Sequence, residues 1–252
     1  MKTDKSYSNL AGKVAFVTGG SRSIGAAIVR RLTAEGVSVA FTYHGSPEQA
    51  AALVAEIESR KGIAFAIKAD SSSPVALKKA VSAANRAFGA IHILVNNAGI
   101  LGIGPLESYS LEAFDKMLAT NVRAVFVASQ AVASQMPDGG RIVTIGSVNA
   151  DTMPFAGGSV YAMTKAAVAG FGRGLARDLG ARGITVNTLQ PGPVDTDMNP
   201  ADGPMAPSLK SRMALGRYGT PEEIAGLVAF LISDQGGFIT GASITIDGGF
   251  SA

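Results

Sequence analysis

The chain has 252 residues, 47% of them hydrophobic and 16% charged, with a formal net charge of +3. This composition supports a large core and excludes a disordered chain; the mild positive charge suits a small anionic ligand and is too weak to indicate nucleic acid. With no cysteine and only two histidines, His44 and His92, disulfides, thiolate metal sites, a cysteine nucleophile and a histidine-rich metal centre are excluded, and no metal is expected.

The opening stretch, MKTDKSYSNLAGK, is polar and lacks the apolar segment of a signal peptide. No apolar run approaches the ~18 residues needed to span a bilayer, so a cytoplasmic protein without membrane association is expected. Strand-like runs follow at 13–18, 37–42, 63–68, 91–96, 141–146, 184–189 and 243–246. They are almost continuously apolar, as parallel strands covered on both faces are. Helical patterns lie between them near 24–35, 47–60, 74–88, 111–136, 159–180 and 221–232, with Pro47, Pro74 and Pro221 where a first helical turn would begin. Alternation over the whole length predicts a doubly wound α/β sheet and a single domain over 1–252.

Two segments stand out from this rhythm. NVRAVFVASQAVASQM, within 111–136, is apolar or small on almost every face, which predicts a cover on both sides, one of them a partner subunit. Residues 191–217 are rich in Pro and Gly and carry Met198, Met205 and Met213. A loop this long after the sixth strand, at the carboxyl edge where ligands bind in such sheets, predicts a substrate lid with an adaptable apolar lining.

Residues 18–25, TGGSRSIG, join the first strand to the first helix. Backbone N–H groups at such a helix start can hold a pyrophosphate, although glycines also occur at strand–helix junctions for geometry alone. Tyr161 and Lys165, four residues apart, share a helix face. A tyrosine becomes a general acid or base if its pKa of ~10 falls by about 3 units, or ~4 kcal/mol. One cation at ~4 Å in an effective dielectric of ~20 supplies about that much. A solvated face is the other reading of the pair. Ser147 ends the strand at 141–146 and could donate to an oxyanion or cap a turn. Asn121 opens the apolar helix and could cap it. NNAG at 96–99 ends the fourth strand, either as an ordinary turn or where small residues admit a ligand.

Taken in order, TGGSRSIG, the AD at 69–70, NNAG, TNVRAVF, IGSVN, YAMTK, ITVNTLQPGPVDTDM and TGASITIDGG resemble the short-chain dehydrogenase/reductase family over nearly the whole chain. The resemblance implies a Rossmann-like sheet of seven parallel strands in the order 3-2-1-4-5-6-7, usually assembled as a homotetramer through the helices at 111–136 and 159–180. It implies that Tyr161 donates a proton to a substrate carbonyl. Lys165 would bind the nicotinamide ribose and lower the tyrosine pKa, Ser147 would hold the carbonyl oxygen, and Asn121 would support a water relay through Lys165. Gly19, Ser21, Arg22, Ser23, Ile24 and Gly25 would line the cofactor, Asp70 and Ser71 its adenine, and Asn97, Ala98 and Gly99 its ribose and middle. Pro191, Gly192, Val194 and Thr196 would hold its nicotinamide end. The family pattern has glycine where this chain has Ser23, so a phosphate contact or a helix cap is expected from that hydroxyl.

An acid after the second strand would bind a ribose 2′-hydroxyl. Here that place holds Tyr43, and no acid lies between Glu35 and Glu48. Arg22 can pair with a 2′-phosphate, aided by His44 or Ser46, so NADP(H) is expected over NAD(H). Within the family the chain is similar to 3-oxoacyl-carrier-protein reductases and related ketone reductases. However, SQMPDGGR before the fifth strand offers no basic run for an acidic carrier protein. A ketone or keto ester is the expected small-molecule substrate, with Val148, Asn149, Met153, Phe155, Met198 and Met205 as pocket walls. IGSVNADTMPFAGGSVYA and QPGPVDTDMNPADGPM also resemble a bacterial branch that includes cyclic-di-GMP-binding biofilm-dispersal proteins, which implies a nucleotide-binding regulator as one alternative, a 3-oxoacyl-carrier-protein reductase being the other.

Overall fold

The computed structural model describes residues 8–252, so the first seven residues of the polar opening stretch lie outside the described residues. The strands are β1 (Val14–Val17), β2 (Ser38–Tyr43), β3 (Ala64–Lys68), β4 (Ile93–Asn96), β5 (Arg141–Ile145), β6 (Thr185–Pro191) and β7 (Ser243–Ile246). They form one seven-stranded sheet in the order β3-β2-β1-β4-β5-β6-β7. Every neighbouring pair is parallel. The order reverses between β1 and β4, and the crevice above that point is where ligands bind in open sheets.

The helices are α1 (Ser23–Ala34), α2 (Pro47–Ser59), α3 (Pro74–Phe88), α4 (Leu111–Leu118), α5 (Ala124–Ala133), α6 (Ser159–Leu179), α7 (Ala206–Lys210) and α8 (Pro221–Ile232). Pro47, Pro74 and Pro221 begin α2, α3 and α8, where a missing N–H costs nothing. One face of the sheet packs Val17, Phe41 and Leu189 against Ile28, Leu32, Ile224 and Val228 of α1 and α8. The other packs Phe16, Leu94 and Val186 against Val81, Ala128 and Ala176 of α3, α5 and α6. Both faces are therefore dry over β1, β2, β4, β5 and β6, which explains their unbroken apolar runs, while β3 and β7 at the sheet edges stay partly exposed. Among the described residues no helix is long and apolar enough to cross a membrane.

Three expectations are corrected. The pattern at 111–136 is two helices, α4 and α5, joined by a π-helical turn at Ala119–Arg123. Asn121 therefore sits inside the turn and caps nothing. β6 runs on to Pro191, which aligns with Ile246 of β7, instead of ending at residue 189. Finally, α5 is not apolar all round, because Gln130 and Ser134 share its exposed strip with Phe126.

Candidate active site

The carboxyl ends of β1, β4, β5 and β6 deliver the candidate residues to one crevice. The glycine turn after β1 is bound to its neighbours by hydrogen bonds. Gly19 N–H donates to Thr42 Oγ1 at 3.0 Å and Gly20 N–H to the Thr42 carbonyl at 2.8 Å. Asn97 donates through Nδ2 to the carbonyls of Thr18 and Gly19, while Thr18 Oγ1 accepts the N–H groups of Asn97 and Ala98. NNAG is thus a brace for the glycine turn. A Cβ on Gly25 would lie 2.1 Å from the Gly19 carbonyl oxygen, so no larger residue fits there. Ile24 is the second residue of α1 and packs partly buried against the core.

Ser23 has φ +48°, in the left-handed region. The helix N-cap is Arg22, which makes no side-chain cap bond. The Ser23 hydroxyl instead accepts the Asp197 N–H at 3.3 Å. The cap expected of Ser23 is therefore absent: Ser23 is already the first residue of the helix. Arg22 Nη1 lies 3.3 Å from Asp197 Oδ2, so the glycine turn meets the lid twice.

Beside the turn, Ser21 Oγ and Ser46 Oγ are 2.9 Å apart at the start of α2, with Tyr43 half-buried and His44 exposed after β2. Asp70 Oδ1 accepts the N–H and the hydroxyl of Ser72, each at 2.8 Å. Burial pushes the Asp70 carboxyl up, but the Ser72 hydrogen bonds and the charges of His44 and Lys116 outweigh it, leaving the pKa below 3.8. Ser71, next in the chain, is half-buried.

Asn121 is 3% exposed and its carboxamide is a clamp. Oδ1 accepts the Ile100 N–H at 2.8 Å, and Nδ2 donates to the Ile100 carbonyl at 2.9 Å and to Thr164 Oγ1 at 3.1 Å. Thr164 in turn donates to the Tyr161 carbonyl at 2.8 Å, which links the π-helical turn to α6. Lys165 is 8% exposed; its Nζ donates to the Ile145 carbonyl at 3.0 Å and lies 5.6 Å from the centre of the Tyr161 ring. A Cβ on Gly99 would come within 3.4 Å of Asn121 Oδ1 and 3.6 Å of Lys165 Nζ. Ser147 Oγ accepts the Asn149 N–H at 3.1 Å, which leaves its own O–H free to donate.

From β6, Pro191 aligns with Ile246, Gly192 N–H donates to the Ile246 carbonyl at 3.0 Å, and Val194 bridges to Gly219. Thr196 Oγ1 accepts the Asn199 N–H at 3.2 Å. A Cβ on Gly192 would lie 2.6 Å from that of Asp247, so the chain just after β7 presses against this strand end. In the lid, Met198 and Met205 are half-exposed, as a lining requires. Met213 is not part of it; with Ala206, Leu209 and Tyr218 it forms the lid's own small core. Met153 and Phe155 both pack over Gly158, and Val148 is buried.

One wall was missed in the sequence. The loop after NNAG, ILGIGPL, brings Ile103 within 3.2 Å of a Cβ on Gly157, and Gly104 N–H donates to the Gly157 carbonyl at 3.0 Å. Ile103 thereby lies beside the Gly157–Gly158 stretch over which Met153 and Phe155 pack, and both Leu101 and Ile103 are exposed apolar groups. An apolar run directly after a strand that ends in NNAG was the available signal. Asp197 was missed as well, and nothing local marks it.

The sheet order, with a glycine turn at the switch point, defines a Rossmann-like doubly wound protein. A family model described as enoyl-(acyl carrier protein) reductase matches residues 19–251. A cyclic-di-GMP-binding biofilm dispersal mediator protein of Escherichia coli K12 is 49% identical over 241 residues, covering 96% of this chain and 98% of that protein. A solved short-chain dehydrogenase/reductase from Serratia marcescens is 58% identical, with a TM-score of 0.95 over 96% of this chain and 99% of its own. A blue fluorescent protein from a metagenomic library, solved in complex with NADPH, is 53% identical with a TM-score of 0.95 over 97% of this chain and 100% of its own. The chain belongs to the short-chain dehydrogenase/reductase family of oxidoreductases.

Proposed function

We propose that the protein reduces a small or medium-sized, mostly apolar ketone or keto ester to its alcohol with NADP(H). The observation that carries this reading is Lys165, whose buried ammonium has a carbonyl as its hydrogen-bond partner and no carboxylate among the described residues. An unpaired buried cation is costly and is kept where chemistry needs it. Two of its three protons remain for a cofactor ribose and for the Tyr161 oxygen.

The crevice suits a dinucleotide. Gly25 lets the start of α1 close onto the Gly19 carbonyl, which keeps the turn tight, and a relative of 53% identity is solved with NADPH. Arg22, Ser21 and Ser46 surround the place of a 2′-phosphate, where an NAD-type acid is missing. When bound, the nicotinamide supplies the hydride. Ser147 donates to the carbonyl oxygen, Tyr161 delivers the proton to it, and Lys165 favours the resulting tyrosinate. Asn121 acts as a positioning residue, since both its amide hydrogens are taken. Leu101, Ile103, Met153, Phe155, Met198 and Met205 offer the substrate an apolar surface, and the lid over residues 191–217 covers it. Docking of an acidic carrier protein is less favoured. Arg182 is tied to Asp138 and to the carbonyls of Ala133 and Met136, and Arg141 to the carbonyls of Gly139 and Gly140. A homotetramer is supported by Phe126 and Met163, exposed on the adjoining faces of α5 and α6, where Phe126 meets Phe171 edge-on at 6.0 Å.

The test is NADPH absorbance over a panel of ketones. Tyr161→Phe is expected to lower kcat by about 10²–10⁴ while NADPH affinity stays within about twofold. Full activity in that variant, or a higher kcat/KM with NADH, would overturn the reading. The relative of 49% identity favours a second one, a cyclic-dinucleotide regulator. It predicts tight binding of cyclic-di-GMP and no ketone-dependent NADPH oxidation.

A further inference from the structure

Arg22 and Asp197 are 175 residues apart, yet the lid reaches the glycine turn through both. The carboxylate meets the guanidinium at 3.3 Å, and the same residue's backbone N–H meets Ser23 Oγ at 3.3 Å. The pair thus joins the lid to the glycine turn. Both side chains are more than half exposed, 60% and 57%, so the ion pair is weak and exchangeable.

We propose that Asp197 is a cofactor-discriminating residue: it holds Arg22 in the free protein and yields it to the 2′-phosphate, so that NADP(H) entry and release of the lid from the glycine turn are one exchange. This rests on the proposed use of NADP(H). A carboxylate and a phosphate monoester are alternative anions for one guanidinium, and both cannot take its full fork. A cofactor that lacks the 2′-phosphate offers Arg22 no new partner, so Asp197 keeps it. The acid therefore weakens binding of the phosphorylated cofactor and leaves the other nearly untouched. The structure gives the phosphate a competitor for Arg22, because the turn of chain at Asp197–Asn199 folds back over the helix start.

Titrating NADPH and NADH by fluorescence into the wild type and Asp197→Asn tests this. Asparagine keeps the size and removes the charge, and the exposed position makes loss of folding no obstacle. NADPH is expected to bind about three- to fivefold tighter to the variant, the range an exposed ion pair covers, with NADH changed less than twofold. In an Arg22→Ala background the same substitution is expected to have no such selective effect. Equal changes for both cofactors, or no change for either, would overturn the role of Asp197 while a wild-type preference for NADPH left the cofactor reading intact. A wild type that binds NADH at least as tightly as NADPH would remove the cofactor reading, and this role with it.

Discussion

At the scale of single residues, Ser23 and Gly25 show how differently two positions of one turn constrain the chain. Ser23 holds φ +48°, which costs a side-chain-bearing residue roughly 1–2 kcal/mol. Its hydroxyl regains part of that through the Asp197 N–H. Ser23→Gly is expected to raise stability by up to about 1 kcal/mol in urea unfolding, with NADPH affinity changed less than tenfold. A tenfold or larger tightening would mean that the serine Cβ obstructs the pyrophosphate. Gly25 allows no such exchange. A Cβ there meets the Gly19 carbonyl oxygen at 2.1 Å and Asn97 Nδ2 at 2.7 Å, and the backbone oxygen cannot swing aside. Gly25→Ala is expected to weaken NADPH binding more than tenfold in the same titration, because the turn must open to admit the methyl group.

At the scale of elements, α8 shows a helix start held by charge. Thr220 Oγ1 accepts the Glu223 N–H, Glu223 Oε2 accepts the Thr220 N–H at 2.8 Å, and Arg217 Nη2 donates to Glu223 Oε1 at 2.7 Å. The Arg217 hydrogen bond, then the Thr220 backbone, hold the Glu223 carboxyl at about 2, against an ordinary 4.5. Because the folded-state pKa is depressed, the ionised carboxylate stabilises fully above pH 4.5, and its contribution is lost as pH falls toward 2. Because the Glu223 side chain is 42% exposed, solvent screens most of this effect, and Glu223→Gln, which keeps the cap acceptor, is expected to cost less than about 1 kcal/mol at pH 7, with the difference in Tm from the wild type shrinking steadily below pH 4.5. A difference that stays constant down to pH 3 would assign the effect to packing instead. Since α8 packs on α1, this cap also supports the helix that begins at the glycine turn.

At the scale of the whole molecule, Phe126 and Met163, exposed on α5 and α6, are the groups on which the proposed homotetramer rests. Phe126→Arg is expected to shift a homotetramer to smaller species in sedimentation, and an unchanged mass would exclude this face. The seven strands, their parallel pairing, the glycine turn and the Tyr161–Lys165 face are legible in the order of residues. Each of these rests on local periodicity or on spacing within one element, which the order of residues carries directly. The π-helical turn at Asn121, the apolar wall at Ile103, the inward turn of Met213 and the Arg22–Asp197 contact arise from the folded arrangement alone. Those features depend on pairs brought together from distant parts of the chain, such as Asn121 with Thr164 and Gly104 with Gly157. Their partners are chosen by how the sheet stacks its carboxyl ends beside one crevice, and no local pattern of residues encodes that choice.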